Sequence, residues 1–174
     1  MVKRINTLSA TSYGPSDVFF LDTNVILYLH HPPSTNSNIS KAGAYSNFIA
    51  RLRQSGCSLR ISSFNVQEAF HIVETLAFKN YKSANANATR KTFRKQSRNQ
   101  VGTMQSAMWS QLKGNYSIEN ALADKSMLES FIKNYVSHLY DPVDYLFAAN
   151  YPTCNIITSD SDFSSDPAIT VYTY

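Results

Sequence analysis

The sequence predicts an α/β domain in which a parallel β-sheet is flanked by helices. Three observations carry that prediction. Val18-Phe19-Phe20-Leu21 is apolar at every position, the pattern of a strand buried on both faces. Further strand-like runs follow at Ser58–Ser62, Asn155–Thr158 and Ile169–Tyr172. Stretches with helical spacing separate them, and strands alternating with helices build covered parallel sheets.

Taken in order, residues 1–16 are polar and close on Gly14-Pro15-Ser16, so they read as a flexible or loosely packed arm. Residues 17–174 then form the domain. Asp22-Thr23-Asn24 ends the first strand and Val25–Leu29 starts a helix; His30 to Asn38 is a loop rich in Pro, Ser and Asn. Between Lys41 and Gln54, Ala44, Phe48, Ile49 and Leu52 recur at helical spacing, with Gly56 as a terminator. Phe64 to Phe78 reads as a helix with Val66, Ala69, Phe70, Val73 and Ala77 on one side. A basic, partly helical insertion occupies about 79–115, and Ile118 to Leu139 reads as a further helix. Val143–Ala149 is a short helix after Asp141-Pro142.

Composition bounds the function. With 174 residues and 43% apolar content the chain can bury one core but not comfortably two. Its 13% aromatic content excludes a disordered class. Sixteen Lys and Arg against 12 Asp and Glu permit a polyanionic partner without demonstrating one. Cys57 and Cys154 do not make a disulfide framework, and with His30, His31, His71 and His138 they assemble no zinc site. Lys3 and Arg4 ahead of Val18–Leu21 look like the start of a signal peptide, but Asp22 and Asn24 interrupt the apolar stretch. No run is long enough to span a membrane, and the expected location is cytoplasmic.

The acids fall at informative places. Asp22 immediately follows the first strand, and Asp160 follows the Ile156-Ile157 strand core by three positions. In an open parallel sheet both would face the crevice beyond the strands' carboxyl ends. Glu68 and Asp144 lie near the starts of helices that can point into the same crevice from the side. Each also has an ordinary use: Asp22 and Asp144 as caps or first-turn acids, Glu68 as a solvated helix residue, Asp160 as a turn former. Four converging carboxylates repel one another unless a cation neutralises them, and an all-oxygen site suits Mg²⁺ or Mn²⁺.

Four ordered motifs resemble one family. Phe19-Phe20-Leu21-Asp22-Thr23-Asn24 resembles the opening of PIN domains, an apolar strand running into D-T-N. Ser63-Phe64-Asn65-Val66-Gln67-Glu68 resembles the second motif, and Asp144-Tyr145-Leu146-Phe147-Ala148-Ala149 the third. Thr158-Ser159-Asp160-Ser161-Asp162-Phe163 is similar to the closing T-x-D-x-D-F signature. The resemblance spans about residues 18 to 172. It implies a PIN-like fold and a Mg²⁺- or Mn²⁺-dependent endoribonuclease in which Asp22, Glu68, Asp144 and Asp160 hold the metal. It also implies Asn24 and Thr158 as supporting hydrogen-bonding residues and Asp162 as a further acid at the metal. Asp141, one helical turn from Asp144, competes for the third position, and Glu74 competes with Glu68.

Many PIN nucleases of this size resemble toxins held by a small antitoxin protein, and others process RNA outside any toxin pair. A PIN-fold protein that binds RNA without cutting it, and a homodimer, are also compatible with the resemblance. A haloacid-dehalogenase-type phosphatase is matched only loosely, because position 24 is Asn rather than Asp. A P-loop enzyme is excluded by the missing glycine-rich motif. The chain departs from compact PIN domains between Lys79 and Lys113, where eight basic residues occur without one Asp or Glu. Arg90, Lys91, Arg94, Lys95 and Arg98 recur there at helical spacing and are expected to grip RNA phosphates. Tyr81, Phe93 and Trp109 are candidates for base stacking or for core packing.

Overall fold

The structure, a computed structural model, describes residues 4–6, 13–31, 36–134 and 140–174. His138 lies outside them. Six parallel strands form one sheet: β1 (Arg4–Asn6), β2 (Val18–Leu21), β3 (Ser58–Ser62), β4 (Ser117–Glu119), β5 (Asn155–Ile157) and β6 (Thr170–Thr173). Their order is β1-β6-β5-β2-β3-β4. Six helices accompany them: α1 (Thr23–His30), α2 (Asn36–Gln54), α3 (Ser63–Ala84), α4 (Arg90–Asn115), α5 (Lys125–Asn134) and α6 (Pro142–Asn150).

Strand alternation divides the core into two layers. Phe19, Leu21, Ile157 and Tyr172 point to one face, where they meet Val25, Tyr45, Phe48, Leu52 and Val73 from the helices. Phe20, Ile156 and Val171 point to the other and meet Phe147 of α6 and Phe163. That is why every residue of Val18–Leu21 is apolar: both faces of β2 are covered, and Phe19, Phe20 and Leu21 are buried. Cys57 belongs to the first layer and Cys154 lies against the second, and both thiols are free.

Local chemistry sets the element ends. Ser62 caps α3 by accepting the Asn65 N–H at 3.2 Å, and Thr89 caps α4 by accepting the Thr92 N–H at 3.2 Å. Gly56 ends the α2 connection with φ of 78°, a conformation that favours glycine, and an added Cβ would meet Pro15 Cγ at 3.3 Å.

Three expectations change. The segment read as a loose arm supplies β1, paired with β6, and Tyr13 packs edge-on against Phe19 at 5.3 Å. Strand β1 occupies the open edge of β6, and such edges favour pairing. Ile118 lies in β4 rather than in a helix, because it pairs with Ile61 along the edge of β3. Its four-residue spacing to Leu122 imitated a helical repeat. The insertion is helical from Arg90 to Asn115 without interruption, and it packs against a neighbour, α3, that itself runs past Phe78 to Ala84.

Phe93 anchors the start of α4. It is 2% exposed and lies 5.4 Å from the rings of both Phe78 and Tyr81. Tyr81 also donates its hydroxyl to Gln96, and Trp109 packs on the first core layer. All three aromatics serve packing. Phe93→Ala is expected to cost about 3 kcal/mol in global stability, measured by denaturant unfolding. Amide exchange should quicken first in the N-terminal half of α4; a loss spread evenly over the domain would contradict this anchoring role.

Candidate active site

β2 is flanked by β3 and β4 on one side and by β5 and β6 on the other. Ligands of open parallel sheets bind beyond the carboxyl ends of strands at such a switch point. Asp22 stands there. It follows β2 directly, is only 4% exposed, and caps α1 by accepting the Thr23 N–H at 2.6 Å through Oδ1. Thr158, just after β5, donates its hydroxyl to Asp22 Oδ2 at 2.7 Å and accepts the Asp160 N–H at 2.9 Å. One hydroxyl thus orients the first acid and places the backbone of another. The Thr158 carbonyl is held in turn by the buried Tyr45 hydroxyl at 3.0 Å.

A second chain of bonds reaches Glu68. Ser62 Oγ donates to Asn65 Oδ1 at 2.6 Å, Asn65 Nδ2 donates to Thr23 Oγ1 at 3.1 Å, and Thr23 Oγ1 donates to Glu68 Oε2 at 2.6 Å. The polarity is forced. Ser62 Oγ already accepts the Asn65 N–H, and an amide Nδ2 can only donate, so each proton is directed toward the carboxylate. Thr23, Asn65, Ser62 and Tyr45 were not singled out from the sequence, although D-T-N and S-x-x-N patterns contain three of them. Asn24, expected to support the site, makes no side-chain hydrogen bond among the described residues; its neighbour Thr23 does.

Asp141 and Asp144 divide their roles. Asp141 caps α6, its Oδ1 accepting the N–H groups of Val143 at 2.8 Å and Asp144 at 2.9 Å, while Pro142 opens the helix. Asp144 sits in the first turn. Burial first, then the carboxylates of Asp22, Asp141, Glu68 and Asp160, push Asp144 up to about 9. Burial raises Asp22 to about 6 despite its bonds from Thr158 and Thr23, with Glu68 and Asp160 adding to the rise. Glu68 is also raised, by burial foremost and then by Asp141, against the pull of Thr23 and His71. Asp22, Asp141, Glu68 and Asp160 thus lie near enough to Asp144 for their charges to act on its carboxyl.

The remaining acids stand differently. Asp160 Oδ1 accepts the N–H groups of Ser161 at 2.6 Å and Asp162 at 3.2 Å, so it shapes its turn as well. Asp162 opens a short 3-10 turn and is raised by burial and by Asp160. Glu74 pairs with Arg94 at 2.5 Å. Among the described residues, no three His, Cys, Asp or Glu side chains close on a single point as a metal cage would require.

The five basic residues expected to hold RNA part company. Arg94, Lys95 and Arg98 line a groove of about 680 Å³. Arg90 is turned back onto α3, bonding Thr75 at 3.3 Å and lying 5.2 Å over the Phe78 ring. Lys91 is exposed but does not line the groove.

No family model and no curated protein matches the sequence. Among solved structures, the chain is similar to one chain in the crystal structure of VapBC2 from Rickettsia felis bound to a DNA fragment from their promoter. The TM-score is 0.53 at 15% identity, over 90% of this chain and 98% of that one. The fold is PIN-like. Within this PIN-like fold, no described helix is long and apolar enough to cross a membrane.

The raised Asp144 has a consequence for stability. A carboxyl whose folded pKa exceeds its unfolded value of 3.8 holds its proton more tightly when folded. Its contribution is therefore complete below pH 3.8 and is lost as pH rises toward about 9. Asp144→Asn should raise the melting temperature of the metal-free protein at pH 8 by at least ~3 °C and weaken its decline between pH 5 and 9. Thermal melts in EDTA across that range test this. A variant that melts lower than the parent at pH 8 would show that Asp144 is not under like-charge stress.

Proposed function

We propose that the chain is a metal-dependent endoribonuclease. The observation that carries this reading is the buried Asp22 at the switch point of a PIN-like sheet, with Asp22, Glu68 and Asp160 all near enough to act on the Asp144 carboxyl. The largest influences on Asp22, Glu68 and Asp144 are burial, other carboxylates, hydroxyls, a backbone amide and His71. A cation would relieve the burial and like-charge effects that push these carboxyls upward. The all-oxygen donor set fits Mg²⁺ or Mn²⁺. Mg²⁺ keeps several waters and requires only one or two carboxylates, which is compatible with acids that converge without forming a closed cage.

When bound, such an ion supplies a water of lowered pKa and positive charge for the scissile phosphate. The chain's own residues hold and orient. Thr158 and the Thr23 amide keep both oxygens of Asp22 in place. Thr23 anchors Oε2 of Glu68 and leaves Oε1 for a ligand. Burial of Asp22 and Asp144 lowers the local dielectric and so strengthens their hold on a cation. On this reading the products carry 5′-phosphate and 3′-hydroxyl ends, as the PIN resemblance implies.

The same proposal extends to a biological role as the toxin of a toxin–antitoxin pair, restrained by a small antitoxin protein. The near full-length likeness to a chain from VapBC2 supports it. A short neighbouring open reading frame whose product binds this chain and suppresses cleavage would be the expected finding.

An end-labelled RNA should be cut in Mg²⁺ or Mn²⁺ and left intact in EDTA, with no phosphate released from a small monoester. Asp22→Asn should reduce cleavage by at least ~10²-fold, and Asp162→Asn by about tenfold. Asp144→Asn should be nearly inactive while Asp141→Asn keeps most of the rate. If folded Asp22→Asn protein cuts at the parental rate, the four-acid mechanism is wrong.

A further inference from the structure

The face of α4 that carries Arg94, Lys95 and Arg98 takes no part in holding the acids. The groove there is lined also by Gly102, Gln105 and, across from them, Glu74 of α3. Arg98 and Gly102 are shared with a second shallow hollow of about 620 Å³, whose other lining residues include Asn99, Thr103, Ser106 and Ser110. The two hollows meet at Arg98 and Gly102 and together form a trough between Arg94 and Ser110 on a helix of 26 residues, about 39 Å long. Every polar group that α4 contributes to it is basic, hydroxyl or amide. Those are the side chains that contact phosphate oxygens in nucleic-acid complexes.

We propose that this trough binds the phosphate backbone of the RNA strand whose scissile bond lies at the acids, so that the strand runs from the acid cluster onto α4. The inference rests on the ribonuclease reading of that cluster. Three features support it. First, the trough's one bordering acid, Glu74, is neutralised by Arg94, and the segment from Lys79 to Lys113 contains no other. Second, the acid that borders the trough is on the same helix as Glu68. Glu74 lies six residues from Glu68 on α3, about 9 Å along the axis, and the exposed His71 between them acts on both carboxyls. Third, the aromatics that would stack on bases are committed elsewhere: Phe93 is buried, Tyr81 packs on it, and Trp109 lies against the core. Binding there is to the backbone and is independent of base sequence.

Gly102 offers a test that leaves the acids and the packing untouched. An added Cβ there meets nothing within 4 Å, and the glycine sits in a helix interior, where almost any other residue favours the fold. Gly102→Glu, Gly102→Ala and Gly102→Lys therefore form a charge series at the centre of the trough. Binding of a fluorescein-labelled, single-stranded RNA of mixed sequence is followed by anisotropy in EDTA, where no cleavage occurs. Gly102→Glu should raise Kd about fivefold, Gly102→Ala should stay within about twofold of the parent, and Gly102→Lys should lower Kd about threefold. The slope of log K against log salt should shift by about 0.7 in the corresponding directions. Arg98→Ala should match Gly102→Glu, and a second RNA of different sequence should give the same order. Equal Kd and equal salt slope across the folded charge series overturn the proposal. A charge-ordered series in a protein that fails to cut RNA in Mg²⁺ would preserve the trough and remove the nuclease reading. Cleavage without charge ordering would do the reverse.

Discussion

A carboxylate buried at the end of an apolar strand is the constraint on which this structure turns. Asp22 follows Phe19-Phe20-Leu21, three residues that are themselves sealed in the core, and is only 4% exposed. Burial of that kind is unfavourable unless both carboxyl oxygens are satisfied. The fold satisfies them from two directions: the Thr23 amide, through the helix that Asp22 itself caps, and the Thr158 hydroxyl, through the neighbouring strand. Among the described residues the buried polar side chains are Asp22, Thr23, Ser62, Asn65 and Thr158, and all belong to one connected network. That network ties β2, β3 and β5 to α1 and α3. Strand order and acid placement are therefore one problem rather than two. With β3 and β5 on either side of β2, Thr158 reaches Asp22 from one neighbour while Ser62, through Asn65 and Thr23, supports Glu68 from the other.

The network orients the acids but does not neutralise them. Hydroxyl and amide donors favour the charged form of Asp22 and Glu68, yet desolvation outweighs them, and Asp22, Glu68 and Asp144 all move upward. Asp144 bears the largest share. Its neighbours are carboxylates, and its helix N-terminus, where a negative charge is favoured, does not offset them. A site tuned for stability alone would have replaced one acid or added a cation. The arrangement keeps Asp22 and Glu68 oriented by hydrogen bonds without cancelling the upward shift that burial imposes on them.

Much of this was legible in the sequence, and what was missed has a common cause. Strands β2 and β3, the placement of Asp22 after its strand and the helix opened by Pro142 are set by local signals, so periodicity and capping chemistry reveal them. The cap function of Asp141 against the inward position of Asp144 is likewise a matter of a single turn. Contacts that depend on which strands are neighbours were not visible. Tyr45 meets Thr158 across 113 positions and Asn65 meets Thr23 across 42, and no local pattern announces either. Strand β1 has three residues within a polar stretch, and its existence depends on the edge of β6. The acids carried a motif because chemistry fixes their type, whereas their supporting hydroxyls could be placed only once the sheet had assembled.

The basic residues illustrate why charge of each sign has its own element. An arginine set among Asp22, Glu68 and Asp144 would form the pair that Arg94 forms with Glu74, and the lowered pKa of Glu74 shows the result: a carboxylate content without a metal. Positive charge that serves a polyanion must therefore lie near the acids without touching them. Helix α4 meets that requirement. Of its 26 residues only Phe93, Met108 and Leu112 are fully buried, so packing fixes the helix at its start and near its end. The intervening turns carry little packing duty, and it is there that Lys95 and Arg98 stand exposed on a surface whose bordering acid, Glu74, is paired with Arg94. A docked long helix can separate its charge from a cluster on the helix beside it by a distance set by the packing. A loop of the same composition would let those side chains fold back onto the carboxylates, which is why the order of this segment matters more than its net charge.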